Sequence, residues 1–295
     1  MKKMDIDTVL KEFSNFKINV RGASKNTLTQ YNNRIREFCN DMGIKDYNNL
    51  INVKAQTIEE WLCKQAEGGN KASTRNNKLS AIKELYSYLE YNKDIPVDRH
   101  IRGIPLAKTA HKEQKCANRM IAEQMIAMAH NDRLKAAIAV LEYTGVRCQE
   151  MLNLTCADIE RGYAIVVGKG NKEREIWFRP DCAVLCNIWI NKQRKKIIKK
   201  TNVETDLLFI SNTGQPWTRQ SLSRSLKDCA KRIGLYWGNE VSPHKFRHGF
   251  ITEQLNKGVP VHQVRDMVGH SSIETTNTYA HSDKEAMRKA MLGEE

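Results

Sequence analysis

Apolar residues recur every three or four positions through the first hundred residues of this chain, the spacing of one helical face. Val9, Leu10, Phe13 and Phe16 predict a helix over residues 7–16. Leu28, Tyr31, Ile35 and Phe38 predict a second, from Ser24 or Asn26 to Met42, stopped at Gly43 by a left-handed cap. Thr57-Ile58-Glu59-Glu60 has the form of a capping box and predicts a third helix, ending near Gly68-Gly69. A fourth opens at Ser73 or Thr74 and carries Leu79, Ile82, Leu85, Tyr86 and Leu89. Four helices with short connections predict a compact bundle. The periodicity fails over residues 92–117, which hold Pro96 and Pro105. The expected organisation is therefore a helical domain over 1–98, a linker over 99–117 and a larger domain over 118–295.

In the larger domain, helices are expected over 121–130 and 133–143. Residues 164–167 and 175–178 are strand-like and joined by a Gly-Lys-Gly tip, a hairpin. A long helix is expected over 182–196, and another from an N-cap at Thr218 to Ile233. Ser242-Pro243 opens the next, closed by Lys257-Gly258, and Pro260 starts a short helix that ends before Gly269. Ser271-Ser272-Ile273-Glu274 is a second capping box, whose helix would carry Tyr279 two turns in. The expected fold class is mainly α with one small β-hairpin, an α+β arrangement.

Composition narrows the partners. The 295 residues suffice for two domains, and no apolar run approaches the roughly 18 residues needed to cross a bilayer. The N-terminus turns acidic at Asp5 and Asp7, where a signal peptide would turn apolar, so a cytoplasmic protein with no membrane partner is expected. A net charge of +14 points to a polyanion, although charge alone reads equally as a solvated basic surface. Its placement adds weight: six of the ten residues from Asn191 to Lys200 are cationic, and five cations lie between Arg102 and Arg119. The eight cysteines form no C-x-x-C pair. Cys182 and Cys186 share a helical face but lack a second pair, so buried thiols are expected rather than a zinc site.

The basic residues after Tyr143 carry the chemistry. His244 and Arg247 are three apart on one helical face. Arg147 follows a Thr-Gly turn, Lys169 stands at the hairpin tip, and His270 lies at a helix break beside Gly269. Taken singly, each reads as a surface, capping or turn residue. Together, two Arg, one Lys and two His near turns and helix ends suit the holding of a phosphate and its developing charge.

In order and spacing these residues resemble the tyrosine recombinase, or phage integrase, family. Thr144-Gly145-Val146-Arg147-Cys148-Gln149-Glu150-Met151-Leu152 resembles its first arginine box, and His244-Lys245-Phe246-Arg247-His248 its H-x-L-R-H box. Val268-Gly269-His270 followed by Tyr279 resembles its L-G-H…Y tail, and Gly168 to Arg174 the hairpin bearing the family lysine. Lys25-Asn26-Thr27-Leu28 and Tyr31 resemble the opening of its SAM-like core-binding domain. Phe246, Gly249-Phe250 and Met267-Val268 depart from the usual residues only at packing positions.

The resemblance implies a site-specific recombinase that cuts and rejoins DNA through a 3′-phosphotyrosyl link at Tyr279, with Arg147, Lys169, His244, Arg247 and His270 as its other catalytic residues. It implies double-stranded DNA as partner and no metal or cofactor. Thr27, Arg75, Lys78, Lys115, Lys172, Arg219 and Arg224 are expected phosphate contacts. The apolar stripe Ala286, Met287, Ala290 and Met291 implies docking between protomers of a homo-tetramer. Two rivals are a type IB topoisomerase, which nicks and relaxes DNA with similar residues, and a silent DNA-binding protein, which predicts loss of a catalytic position.

Overall fold

The computed structural model describes residues 5–93, 95–109, 117, 119–168, 172–234 and 241–269. The chain divides into two compact units, residues 1–112 and 113–295.

The first unit is helical: α1 (Ile6–Asn19), α2 (Lys25–Asp41), α3 (Tyr47–Ile51), α4 (Ala55–Glu67), α5 (Ala72–Lys93) and the short α6 (His100–Gly103). Asp5 and Ser24 cap the first two through their side chains, accepting from the N–H groups of Thr8 and Thr27. Gly43 takes the expected left-handed conformation, φ 66°. The apolar faces meet in one core around Phe13, Leu28, Ile35, Phe38, Trp61 and Leu85, with Phe38 edge-on to Trp61 at 5.1 Å.

Two expectations fail here. Thr57 does not cap α4, which starts two residues earlier at Ala55. The Ala55 N–H donates instead to the carboxylate of Asp98, 2.9 Å away and 43 positions on in sequence. The segment read as a linker also begins as part of this unit. Ile101 and Ile104 are buried in its core, and Asn76 makes paired bonds to the Ala107 backbone at 2.8 and 2.9 Å.

The second unit is built on α7 (Arg119–Met128) and α8 (Asp132–Thr144), followed by the short α9 (Cys148–Leu152) and α10 (Cys156–Arg161). Strands β1 (Tyr163–Val167) and β2 (Glu173–Trp177) form an antiparallel hairpin with Val167 opposite Glu173. Then come α11 (Pro180–Trp189), α12 (Lys195–Thr201), α13 (Arg219–Arg232), α14 (Pro243–Asn256) and α15 (Val261–Val268). Small and branched residues cover α8 all round, and every position from Ala136 to Glu142 is buried, so this helix runs through the core. Trp189, Phe209 and Phe246 fill the space around it.

The long helix expected over 182–196 runs from Pro180 to Thr201 with one wide π turn, Ile190–Arg194. Arg194 is buried there and donates to the carbonyls of Leu207 and Thr205 at 3.0 and 2.7 Å, contacts that account for the irregular turn. The described cysteines are free thiols, with Cys182 and Cys186 buried on α11. Among the described residues no helix is long and apolar enough to cross a membrane. The helix expected to carry Tyr279 lies outside the described residues.

Candidate active site

Helix α8 stops at Gly145, whose φ of 60° favours glycine. A Cβ there would also meet the Phe250 ring at 2.4 Å. The turn releases Arg147 in extended conformation at the head of α9, where Glu150 reaches back to it. Glu150 accepts from the Arg147 backbone N–H and from its guanidinium, both at 2.8 Å. Arg174, from the hairpin, donates to both oxygens of the same carboxylate at 3.0 and 2.7 Å.

Helix α14 supplies the second box. Ser242 caps it through Lys245 N–H, and Pro243 occupies its first turn. Four residues on from Pro243, Arg247 is 3% exposed and donates to the carbonyls of Gly145 at 2.7 Å and Val268 at 2.5 Å. The last carbonyls of α15, which have no partner within the helix, are shared out in turn. Met267 O accepts from Arg174, Val268 O from Arg247 and Gly269 O from Arg147. Three guanidiniums thus converge on the negative end of one helix, immediately before His270.

His244 lies one turn before Arg247, its ring edge-on to His248 at 4.4 Å. It is exposed at the surface. Partial burial, and then the positive charges of Arg247, Lys245, Arg219 and Arg147, hold its pKa below the ordinary histidine value. At neutral pH it is therefore a neutral imidazole, able to take a proton. Two of the three guanidiniums, Arg147 and Arg174, share one carboxylate, Glu150. Burial is the largest influence on Glu150 and pushes its pKa up. The bonds from Arg174 and Arg147 outweigh that and hold it at about 2.

The structure therefore brings Arg147, His244 and Arg247 together. Gly168, the residue before Lys169, stands against Arg147: a Cβ on it would lie 3.2 Å from the guanidinium. Lys169, His270 and Tyr279 are outside the described residues, as is Lys115. Arg219 and Arg224 are exposed on α13, and Lys172 is exposed beside the hairpin tip. Thr27 is exposed and bonded to Ser24, and Arg75 donates to Asn70 O at 2.6 Å. Lys78 corrects its expectation as a phosphate contact. It is buried, bound to Glu37 at 2.6 Å and Gln65 at 2.5 Å, and lies over the Trp61 ring. Its charge serves the core of the first unit.

Sequence reasoning missed Arg174. Strand alternation held a signal: Arg174 pairs with the buried Val166 and shares its face with buried Ile176, while Glu173, Glu175 and Trp177 point out. A cation on the inward face of a strand calls for a buried partner, here Glu150.

The phage integrase family model matches residues 115–286, and the N-terminal SAM-like domain of phage integrases matches residues 10–93. The chain belongs to the phage integrase family. Tyrosine recombinase XerD of Yersinia pestis is 29% identical over 91% of each chain, and XerD of Halalkalibacterium halodurans 26% identical over 96% of each. The structure of XerH site-specific recombinase bound to a palindromic difH substrate, a post-cleavage complex, is similar with a TM-score of 0.74 at 22% identity, covering 96% of this chain and 84% of that one. Fold and family agree, and the chain is a DNA strand-transfer enzyme acting in site-specific recombination.

Proposed function

We propose that the chain breaks and rejoins double-stranded DNA through a covalent phosphotyrosine at Tyr279, with Arg147 and Arg247 gripping the two non-bridging oxygens of the scissile phosphate. The convergence of three guanidiniums on the end of α15, two of them also on the Glu150 carboxylate, carries this reading. It concentrates planar donors where an in-line displacement develops charge.

The Tyr279 phenol oxygen forms a bond to phosphorus as the bond to the 5′ oxygen breaks. His244, kept neutral by its surroundings, takes the phenolic proton. Lys169 gives a proton to the departing 5′ oxygen, which leaves Tyr279 on the 3′ phosphate. His270 donates a hydrogen bond to the same phosphate. Rejoining reverses these steps with a 5′ hydroxyl as nucleophile, so the bond energy is kept in the protein link.

In this reading both units contact the duplex. Thr27, Arg75, Lys172, Arg219 and Arg224 contact phosphate, and so does Lys115. The stripe Ala286, Met287, Ala290 and Met291 joins protomers of a tetramer, so that the active sites do not all fire together. The exchange serves integration, excision, inversion or resolution of dimeric replicons.

The test is covalent trapping. The full chain is incubated with a library of nicked duplexes in EDTA and run on a denaturing gel. A protein–DNA adduct is expected, and Tyr279→Phe removes it. An adduct that survives in the Phe variant refutes the assignment of the nucleophile. Partner exchange between two trapped sites separates a recombinase from a topoisomerase that only relaxes DNA.

A further inference from the structure

Glu142, on α8, is 1% exposed, yet neither of its carboxyl oxygens has a hydrogen-bond partner. A buried carboxyl without a donor is costly and calls for an occupant. Glu142 lines a cavity of about 320 Å³ in the second unit, walled by Tyr143, Trp177 and Phe250 and by Met267. At the ~30 Å³ a water molecule occupies in the liquid, that volume admits a group of roughly ten non-hydrogen atoms.

The charges around this cavity show what is missing. Lys257 is bound to Glu253 at 2.5 Å, and Arg119 approaches the same oxygen at 3.6 Å while bonding Glu123. Arg179 is bound to Asp181 at 2.9 Å and stacked over the Tyr143 ring at 4.4 Å. The cations on the wall thus hold other partners, and the remaining wall charge, Glu175, is acidic. A buried carboxyl among aromatic faces is the chemistry that recognises an organic cation, through an ion pair and through the ring faces.

We propose that this cavity binds the ammonium or guanidinium head of a small organic cation, held by Glu142, with the aliphatic stem against Phe250 and Trp177. The site is separate from the phosphate-handling residues and takes a ligand of opposite charge. Binding is coupled to a proton. Burial first, and then the charge of Glu253, push the Glu142 pKa up to about 8, against the smaller opposing pull of Arg119. Glu142 is therefore mainly protonated at neutral pH. A cation that enters displaces that proton to solvent, leaving a carboxylate–cation pair. Affinity should climb about tenfold per pH unit between 6 and 7.

Titration calorimetry of the full chain with n-butylguanidinium, in two buffers of different ionisation heat, reads both affinity and proton release. Saturable binding with close to one proton released is expected. n-Butanol, the neutral counterpart, should bind at least tenfold more weakly. Glu142→Gln should lose binding at least tenfold with an unchanged or higher melting temperature. Trp177→Ala, at a side chain 65% exposed and so without risk to the fold, should weaken binding several-fold. A blocked arginine pentapeptide distinguishes the sources. Affinity tenfold above that of free butylguanidinium means a side chain delivered by a protein; equal or lower affinity means a free metabolite. Unchanged affinity in Glu142→Gln, equal binding of butanol, or no heat with about 10 mM cation near pH 8.5 overturns the proposal.

Discussion

Glu150 and Glu142 stand on opposite sides of the Gly145 turn, both buried, and their surroundings drive them apart. Glu150 is bracketed by Arg147 and Arg174 and ionises at about 2. Glu142, on the wall of a cavity, has no donor and ionises at about 8. Burial pushes both upward, so burial cannot explain the difference. Partners do. On one side of the turn the fold sets two guanidiniums, Arg147 and Arg174, on one carboxylate. On the other it leaves a carboxyl short of a cation. The two neighbourhoods are opposite in character, one rich in guanidiniums and one holding a carboxyl without a donor.

The largest effect should come from removing a cation on the Glu150 side. Arg147→Ala is expected to slow adduct formation about 10²–10³-fold in single-turnover trapping, the range seen when one preorganised donor to developing charge is deleted. Loss of less than tenfold would mean that this charge serves the fold alone. Next in size, Glu150→Gln should destabilise the unit by about 3 kcal/mol, because Arg147 and Arg174 are then pressed together around a neutral amide. Urea unfolding followed by tryptophan fluorescence reads it.

The pH windows should run in opposite directions. Glu150 has a lowered folded pKa, so its stabilisation is present above the ordinary value near 4.5 and is lost as pH falls through 4.5 toward 2. Glu142 has a raised folded pKa, so its contribution is intact below 4.5 and is lost as pH rises through 4.5 toward 8. Glu142→Gln should therefore match the parent chain near pH 4 and exceed its stability by up to about 5 kcal/mol near pH 9. Melting curves across that range check the sign: a variant that loses stability at alkaline pH would show that Glu142 already has a partner.

Much of this was legible in sequence, for identifiable reasons. Helix ends set by adjacent residues were readable: Ser24, Thr218 and Ser242 all cap as their types suggest, and Gly145 and Gly269 end helices in the left-handed region. Arg147, His244 and Arg247 were readable because their boxes pair a chemical group with a turn or a helical spacing. Features set by distant residues were not. The α4 start depends on Asp98, the π turn on contacts between Arg194 and the carbonyls of Thr205 and Leu207, and Arg174 acquires its meaning only once Glu150 is beside it. Short helices such as α3 and α9 span too few residues to show a period. Glu142 looked like an ordinary helix charge, since a cavity has no sequence pattern.

The smallest predicted effect separates cations that face DNA from cations that build the fold. Lys78 is the neutralised extreme, its ammonium already taken by Glu37 and Gln65. Arg219 is exposed, and its charge reaches His244. Each phosphate contact contributes about 0.9 to the slope of log affinity against log salt, through release of condensed counterions. Arg219→Ala should therefore lower that slope by about 0.9 and leave stability within about 0.5 kcal/mol. Lys78→Met should do the reverse: the slope stays where it was, and stability falls by about 1 kcal/mol. The cost stays modest because Glu37, 41% exposed, regains water when its partner is gone. Salt titrations of DNA binding read the first quantity and urea unfolding the second. A slope that drops for Lys78→Met would place that buried ammonium on the DNA path and remove the distinction drawn between the two cations.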